Sequence, residues 1–168
     1  MKQVLTILCF FASASLLMGQ GKALPSATIK TLEGQNINVQ ELGESGKITV
    51  LSFWATWCSP CKKELDAIMD YYEEWQEEYD MELIAISVDD ARTAAKIPAM
   101  VEQKGWEYRI LLDSQKQFQN AANITSVPYT MLLDAEGNIV FEHTGYAPGD
   151  ELELEEKLKE LSGKTEGK

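Results

Sequence analysis

An α/β domain is predicted: a mixed central sheet flanked by helices, with a small β-hairpin extension at the N-terminus. Three observations carry the prediction. Residues 48–54 and 83–88 are continuous apolar runs rich in β-forming side chains, as expected of strands buried on both faces. Stretches of helical periodicity alternate with these runs, the pattern of strands joined by crossover helices. Two further β-rich runs, 129–133 and 139–143, are separated by Asp134-Ala135-Glu136-Gly137-Asn138, a turn sequence that makes an antiparallel hairpin and so mixes the sheet.

Along the chain, residues 27–30 and 37–39 flank the turn-rich Glu33-Gly34-Gln35-Asn36 and predict the N-terminal hairpin. A glycine-bearing loop over 41–47 leads into 48–54, expected to be a central strand. Leu65, Ile68, Met69, Tyr72, Trp75 and Tyr79 recur at helical spacing and predict one long amphipathic helix over about 58–78. Its other face is acidic, with no basic residue between Glu64 and Glu82, and reads as a solvated face. After the strand over 83–88 comes a helix over 91–104, interrupted at Ile97-Pro98 because proline disfavours helical backbone in the residue before it. Residues 108–112 predict a shorter strand and 115–122 a brief helix. Beyond the second hairpin, 150–161 predicts an acidic amphipathic helix. Trp54, Tyr72 and Trp75 are assigned to the core.

The chain has 168 residues, enough for one domain with a real core, and 15 Lys and Arg against 27 Asp and Glu give a net charge of −12. With no basic run longer than Lys62-Lys63, nucleic acid and anionic membrane surfaces are set aside as partners. Residues 1–21 read as a signal peptide. Met1-Lys2 is a basic start, residues 4–18 are apolar apart from Thr6, Ser13 and Ser15, and cleavage is expected after Gly19 or Gly21. A membrane anchor formed by an uncleaved N-terminus is the alternative. Cys9 lies inside the apolar stretch, where it is not placed for lipidation and is lost on cleavage. Residues 22–168 then form one exported domain whose two cysteines share a single Cys-x-x-Cys, in a compartment where disulfides persist.

That motif, Trp57-Cys58-Ser59-Pro60-Cys61, falls where a predicted buried strand turns into a helix. Backbone N–H groups in the first helical turn lack intrahelical partners and the macrodipole is positive there, so a thiolate at Cys58 is stabilised and its pKa falls. Cys61, one turn on, is placed to attack a mixed disulfide formed at Cys58. Pro60 sits in the first turn, where its missing N–H costs nothing. A zinc site would need two further ligands, and the mature chain offers one histidine, His143, and no other cysteine. A purely structural disulfide closing so short a loop would stabilise little. Redox chemistry is the reading that remains.

Three segments together resemble a known family: Phe53-Trp54-Ala55-Thr56-Trp57-Cys58-Ser59-Pro60-Cys61-Lys62-Lys63-Glu64-Leu65, Ile86-Ser87-Val88-Asp89, and Val127-Pro128-Tyr129-Thr130, with Asp134, Gly137 and Gly145 downstream. The resemblance is to the thioredoxin-like thiol-disulfide oxidoreductases, and among them to the exported TlpA/ResA-type proteins, over about residues 24–161. It implies a thioredoxin fold with an N-terminal strand extension and an insertion between the second and third core strands. It also implies that Pro128 is cis and sits against the cysteine pair. Cys58, Cys61, Glu64 and Pro128 are the expected catalytic residues. Trp57, exposed beside the nucleophile, is expected to meet substrate together with Ser59, Pro60 and Val127. No cofactor or metal is expected.

Two departures from the family are informative. Thioredoxin itself carries a buried Asp on the strand leading to its motif; Ser52 stands there in this chain and cannot take a proton from the resolving thiol. Glu64 matches the acid that the TlpA/ResA branch sets beside its cysteines, unless it is only a solvated residue of the acidic helix. Asp66 replaces a proline usual in the branch, so less of a kink is expected there. His143 is expected to be an exposed strand residue rather than a ligand.

The expected activity is reduction of disulfides in exported proteins by a periplasmic monomer supplied with electrons by a membrane thiol transporter, cytochrome c maturation being one such setting. A disulfide oxidase or isomerase, and a copper-handling protein using both cysteines and a distant histidine, are the alternatives. A peroxiredoxin-like peroxidase would need Pro-x-x-x-Thr-x-x-Cys, which the chain lacks.

Overall fold

The computed structural model describes residues 21–163, so the predicted signal peptide up to residue 20, Cys9 included, lies outside the described residues. The described chain runs through β1 (Lys22–Ala23), β2 (Thr28–Thr31), β3 (Asn36–Asn38), a 3-10 turn (Val39–Gly43), β4 (Ile48–Trp54), α1 (Ser59–Met69), α2 (Tyr72–Tyr79) and β5 (Met81–Ser87). It continues through α3 (Ala91–Ala94), α4 (Ile97–Lys104), β6 (Arg109–Leu112), α5 (Gln117–Ala121), β7 (Tyr129–Leu133), β8 (Asn138–Thr144) and α6 (Asp150–Ser162).

These strands form one eight-stranded sheet in the order β1-β8-β7-β4-β5-β6-β2-β3. Every residue of β4 is buried, Thr49 and Ser52 included, as expected of a largely apolar strand covered on both faces. β5 lies parallel to β4 and β6 parallel to β5, whereas β7 is antiparallel to β4 and β8 to β7. The sheet is therefore mixed, with β4 at its centre, and the fold is thioredoxin-like. β2 and β3 make the N-terminal hairpin, and β2 attaches antiparallel to β6. Between β5 and β7 lie α3, α4, β6 and α5, the stretch in which the insertion is expected.

Two elements differ from expectation near the N-terminus. The predicted loop over 41–47 begins inside a 3-10 turn capped by the Asn38 side chain, which accepts from Gln40 N–H, and Val39 and Leu42 are buried beneath it. Gly43 there meets Gly137, in the turn between β7 and β8: a Cβ on Gly43 would stand 2.8 Å from the Gly137 Cα. Backbone packs on backbone at that point, which only two glycines allow. β1, which pairs with the edge of β8, is two residues long and carries no periodic signal.

The helix predicted over 58–78 is a pair, α1 and α2, broken at Asp70 and Tyr71. Nothing in the periodicity marks the break, because the spacing of Leu65, Ile68, Tyr72, Trp75 and Tyr79 runs on through it. Tertiary contacts decide it. Tyr72 hydroxyl accepts from Leu83 N–H on β5 at 3.3 Å and its ring packs edge-on against Tyr108 at 4.8 Å, while Tyr71 stacks on Trp75. α1 itself runs unbroken through Asp66, whose carboxylate accepts from Trp106 Nε1 at 3.0 Å and from Lys104 Nζ, tying α1 to the end of α4.

Candidate active site

β4 delivers the cysteine motif to the C-terminal end of the sheet. Its last residue, Trp54, is buried against the edge of Trp106, and Cys58 N–H then donates to the Ala55 carbonyl at 3.0 Å to close a turn. Asp89, buried two residues beyond the end of β5, clamps this turn. Its carboxylate accepts from Thr56 N–H and from the Thr56 hydroxyl, both at 2.7 Å, and from the Ser87 hydroxyl at 2.8 Å. From the helix side, Lys62 Nζ donates to the Thr56 carbonyl at 2.9 Å. A turn held from both sides leaves Trp57 with nowhere to pack, and it projects outward with 67% of its surface exposed.

Cys58 is the N-cap of α1: its backbone is extended, and its Sγ accepts from Cys61 N–H at 3.3 Å. The two cysteines are joined as a disulfide with Cα atoms 5.4 Å apart, an ordinary separation that a Cys-x-x-Cys at a helix start reaches unaided. No acidic side chain occupies the first turn of α1, so the positive end of the helix is not offset there. Cys58 retains 4% of its surface and Cys61 none, while Ser59 and Pro60 between them are exposed. An incoming group therefore reaches the pair at Cys58.

Glu64, one helical turn beyond Cys61, is buried and not on the solvated face. Its Oε1 accepts from the Thr130 hydroxyl at 2.6 Å and its Oε2 from the Ser52 hydroxyl at 3.1 Å. Ser52 on β4 and Thr130 on β7 face each other in register, so a cross-strand pair of hydroxyls cradles one carboxyl group. Burial pushes the Glu64 pKa up to about 7, outweighing the two hydrogen bonds that pull it down. A carboxyl group beside Ser52 thus titrates near neutral pH.

Val127-Pro128 is a cis peptide, with Pro128 buried and Val127 half-buried. Tyr129 pairs with Phe53, which sets Pro128 at the same end of β4 from which the cysteine turn departs. The Pro128 carbonyl accepts from Gly145 N–H at 2.9 Å. His143 differs from expectation: it is half-buried, its ring lies parallel to Phe141, and its Nε2 stands 3.3 Å from Asp150 Oδ2. Among the described residues no group of three or more His, Cys, Asp or Glu side chains is arranged to hold a metal.

Sequence reasoning did not single out Thr130, Asp89 or Asp150 for a role. Thr130 was visible as the one polar residue in the run 129–133, and Asp89 as an acid directly after an apolar strand, but neither signal names a partner.

The chain matches the AhpC/TSA family over residues 20–142. It is 31% identical over 144 residues to the thiol-disulfide oxidoreductase ResA of Bacillus anthracis, a stretch covering 86% of this chain and 80% of that one. Among solved structures, a thioredoxin-like protein from Porphyromonas gingivalis superposes with a TM-score of 0.76 at 39% identity, over 88% of this chain and 97% of that one. StoA from Bacillus subtilis superposes with a TM-score of 0.61 at 25% identity, over 79% and 96%. With a Cys-x-x-Cys disulfide at the helix start of a thioredoxin-like sheet and these relatives along most of its length, the chain belongs to the AhpC/TSA family, as one of its thiol-disulfide oxidoreductases.

Proposed function

We propose that the protein is exported, loses residues 1–21, and reduces disulfides of other exported proteins in the periplasm as a monomer. The observation that carries this reading is the cysteine pair at the start of α1: Cys58 is the sulfur with access, and uncharged residues stand between the two cysteines. Cys58 thiolate attacks a substrate disulfide, and one substrate sulfur leaves as a thiolate. Glu64 takes the proton of Cys61, whose thiolate then attacks Cys58 of the mixed disulfide and releases the second substrate thiolate. Two electrons pass to the substrate and the protein is left as the Cys58-Cys61 disulfide. Trp57, Ser59 and Pro60 form the exposed surface around the entering sulfur. Val127, beside Pro128, offers backbone groups to an extended substrate segment.

Such a reductase needs electrons from the cytoplasm, which a membrane thiol transporter would supply, and cytochrome c maturation is one pathway it would serve. A Cys61→Ser variant expressed in an exporting host is expected to accumulate mixed disulfides at Cys58, and mass spectrometry of the trapped species names the substrates. Recovery of no adduct from Cys61→Ser, with the protein folded and exported, would refute the assignment. Order of reactivity gives a second check. With its thiolate stabilised by the helix, Cys58 of the reduced protein at pH 7 is expected to react with iodoacetamide roughly tenfold faster than Cys61. Faster labelling of Cys61 would reverse the two roles.

A further inference from the structure

A small cavity of about 20 Å³ lies between α1, β7, β8 and the start of α6, with room for one water molecule. Glu64, Thr130, His143 and Asp150 line it, with Ile68 and Leu154 among its apolar walls. Register brings the first three together. Thr130, which donates to Glu64, lies directly opposite His143 in the β7-β8 pair, and side chains so placed stand on one face about 5 Å apart. The imidazole has a carboxylate partner in the cavity wall. Asp150 Oδ2 stands 3.3 Å from His143 Nε2 and also accepts from Ala147 N–H at 2.7 Å, so the carboxylate is anchored to the turn that opens α6.

We propose that His143, held by Asp150, is a positioning residue of the redox site that faces Glu64 across this cavity and governs the protonation of its carboxyl group. The catalytic consequence rests on the part given to Glu64 under the proposed function. The control of Glu64 itself does not.

Charge acts in opposite senses across the cavity. A cationic His143 pulls the Glu64 pKa down, whereas the Asp150 carboxylate pushes it up, and burial is the largest influence of all. The other titratable groups facing the cavity are Tyr146, Glu151 and Glu153. Tyr146 hydroxyl donates to Glu151 at 2.8 Å, and Glu151 also accepts from Gly149 N–H, so this pair is already engaged. On the opposite side of α1, Tyr108 donates to the Leu65 carbonyl at 2.8 Å, and Cys61 lies one turn back along α1. An imidazole is the side chain that ordinarily changes charge between pH 5 and 8. A cationic His143 favours the ionised form of Glu64, the form that accepts a proton. The Asp150 carboxylate favours the protonated form, so loss of either partner moves the Glu64 midpoint.

The test reads Glu64 directly, by the ¹³C chemical shift of glutamate Cδ as a function of pH in the intact oxidised protein. In His143→Gln the Glu64 midpoint is expected to rise by about half a pH unit or more, since an opposite charge within reach is lost. Adding Asp150→Asn to that variant should bring it back down. A merely structural role predicts the reverse first step, because loosening the cavity admits water and relieves the burial that raises the midpoint. An unchanged or lowered midpoint in His143→Gln overturns the proposal. Should that variant not fold, His143→Asn carries the same expectation. Titrating Cys61 in the reduced variants separates the two readings. A Glu64 midpoint that moves while the thiol stays put removes Glu64 from the catalytic step and leaves the control by His143 standing.

Discussion

Equilibrated with glutathione, the protein is expected to show a reduction potential near the thioredoxin value of about −270 mV rather than the roughly −120 mV of a strong periplasmic oxidant. Strong oxidants hold their reduced form unusually stable by stabilising the thiolate. In this site Ser59 and Pro60 bring no charge between the cysteines, Lys62 is turned back onto the Thr56 carbonyl, and Lys63 is exposed to solvent. Glu64 ionised in the interior acts against a nearby thiolate. The N-terminus of α1 is left as the main stabilising influence on Cys58. The difference of about 150 mV between the two limits is roughly 7 kcal/mol for two electrons, enough to set the direction of exchange. A potential more positive than about −180 mV would defeat the reductase reading and favour an oxidase or isomerase.

Glu64→Gln is expected to stabilise the oxidised protein at pH 8 by up to about 3 kcal/mol and at pH 5 by less than about 1 kcal/mol. The sign follows from the direction of the shift. Burial raises the Glu64 pKa from the ordinary 4.5 to about 7, so the folded state binds this proton more tightly than the unfolded state does. The associated stability is fully present below about pH 4.5 and is lost as pH rises through 7. A glutamine keeps the place between Ser52 and Thr130 and never charges, so the loss is absent from the variant. Urea denaturation of both proteins in the disulfide form at pH 5 and pH 8 measures the difference. A difference independent of pH would mean that Glu64 titrates as a solvated carboxyl group.

Local features of the fold were legible. The unbroken apolar runs over 48–54 and 83–88 correspond to β4 and β5, and the hairpin turn at residues 134–138 separates β7 from β8. The interruption expected at Ile97-Pro98 falls two residues earlier, at Ala95 and Lys96, with Ile97 opening α4 and Pro98 in its first turn, where proline is tolerated. Each of these is written within a dozen residues, as periodicity, turn chemistry or a missing donor. The break between α1 and α2 was not, because it depends on Tyr72 meeting β5 and Tyr108.

By itself the sequence determined the redox pair and where it sits: two cysteines three apart at the junction of a buried strand and a helix, a geometry that the chain makes locally. It also marked Ser52 as a serine where thioredoxin has an acid, and Glu64 as the candidate to replace it. Only the tertiary structure decided the charge state around them. Glu64 is held by hydroxyls from β4 and β7, and His143 on β8 is pinned by Asp150 on α6. A side chain's pKa follows from how much water its neighbours exclude and what charges they bring, and in this protein those neighbours lie 12 and 66 residues away from Glu64 along the chain. No pattern in the sequence specifies such pairings, because they exist only once the sheet has put β7 beside β4.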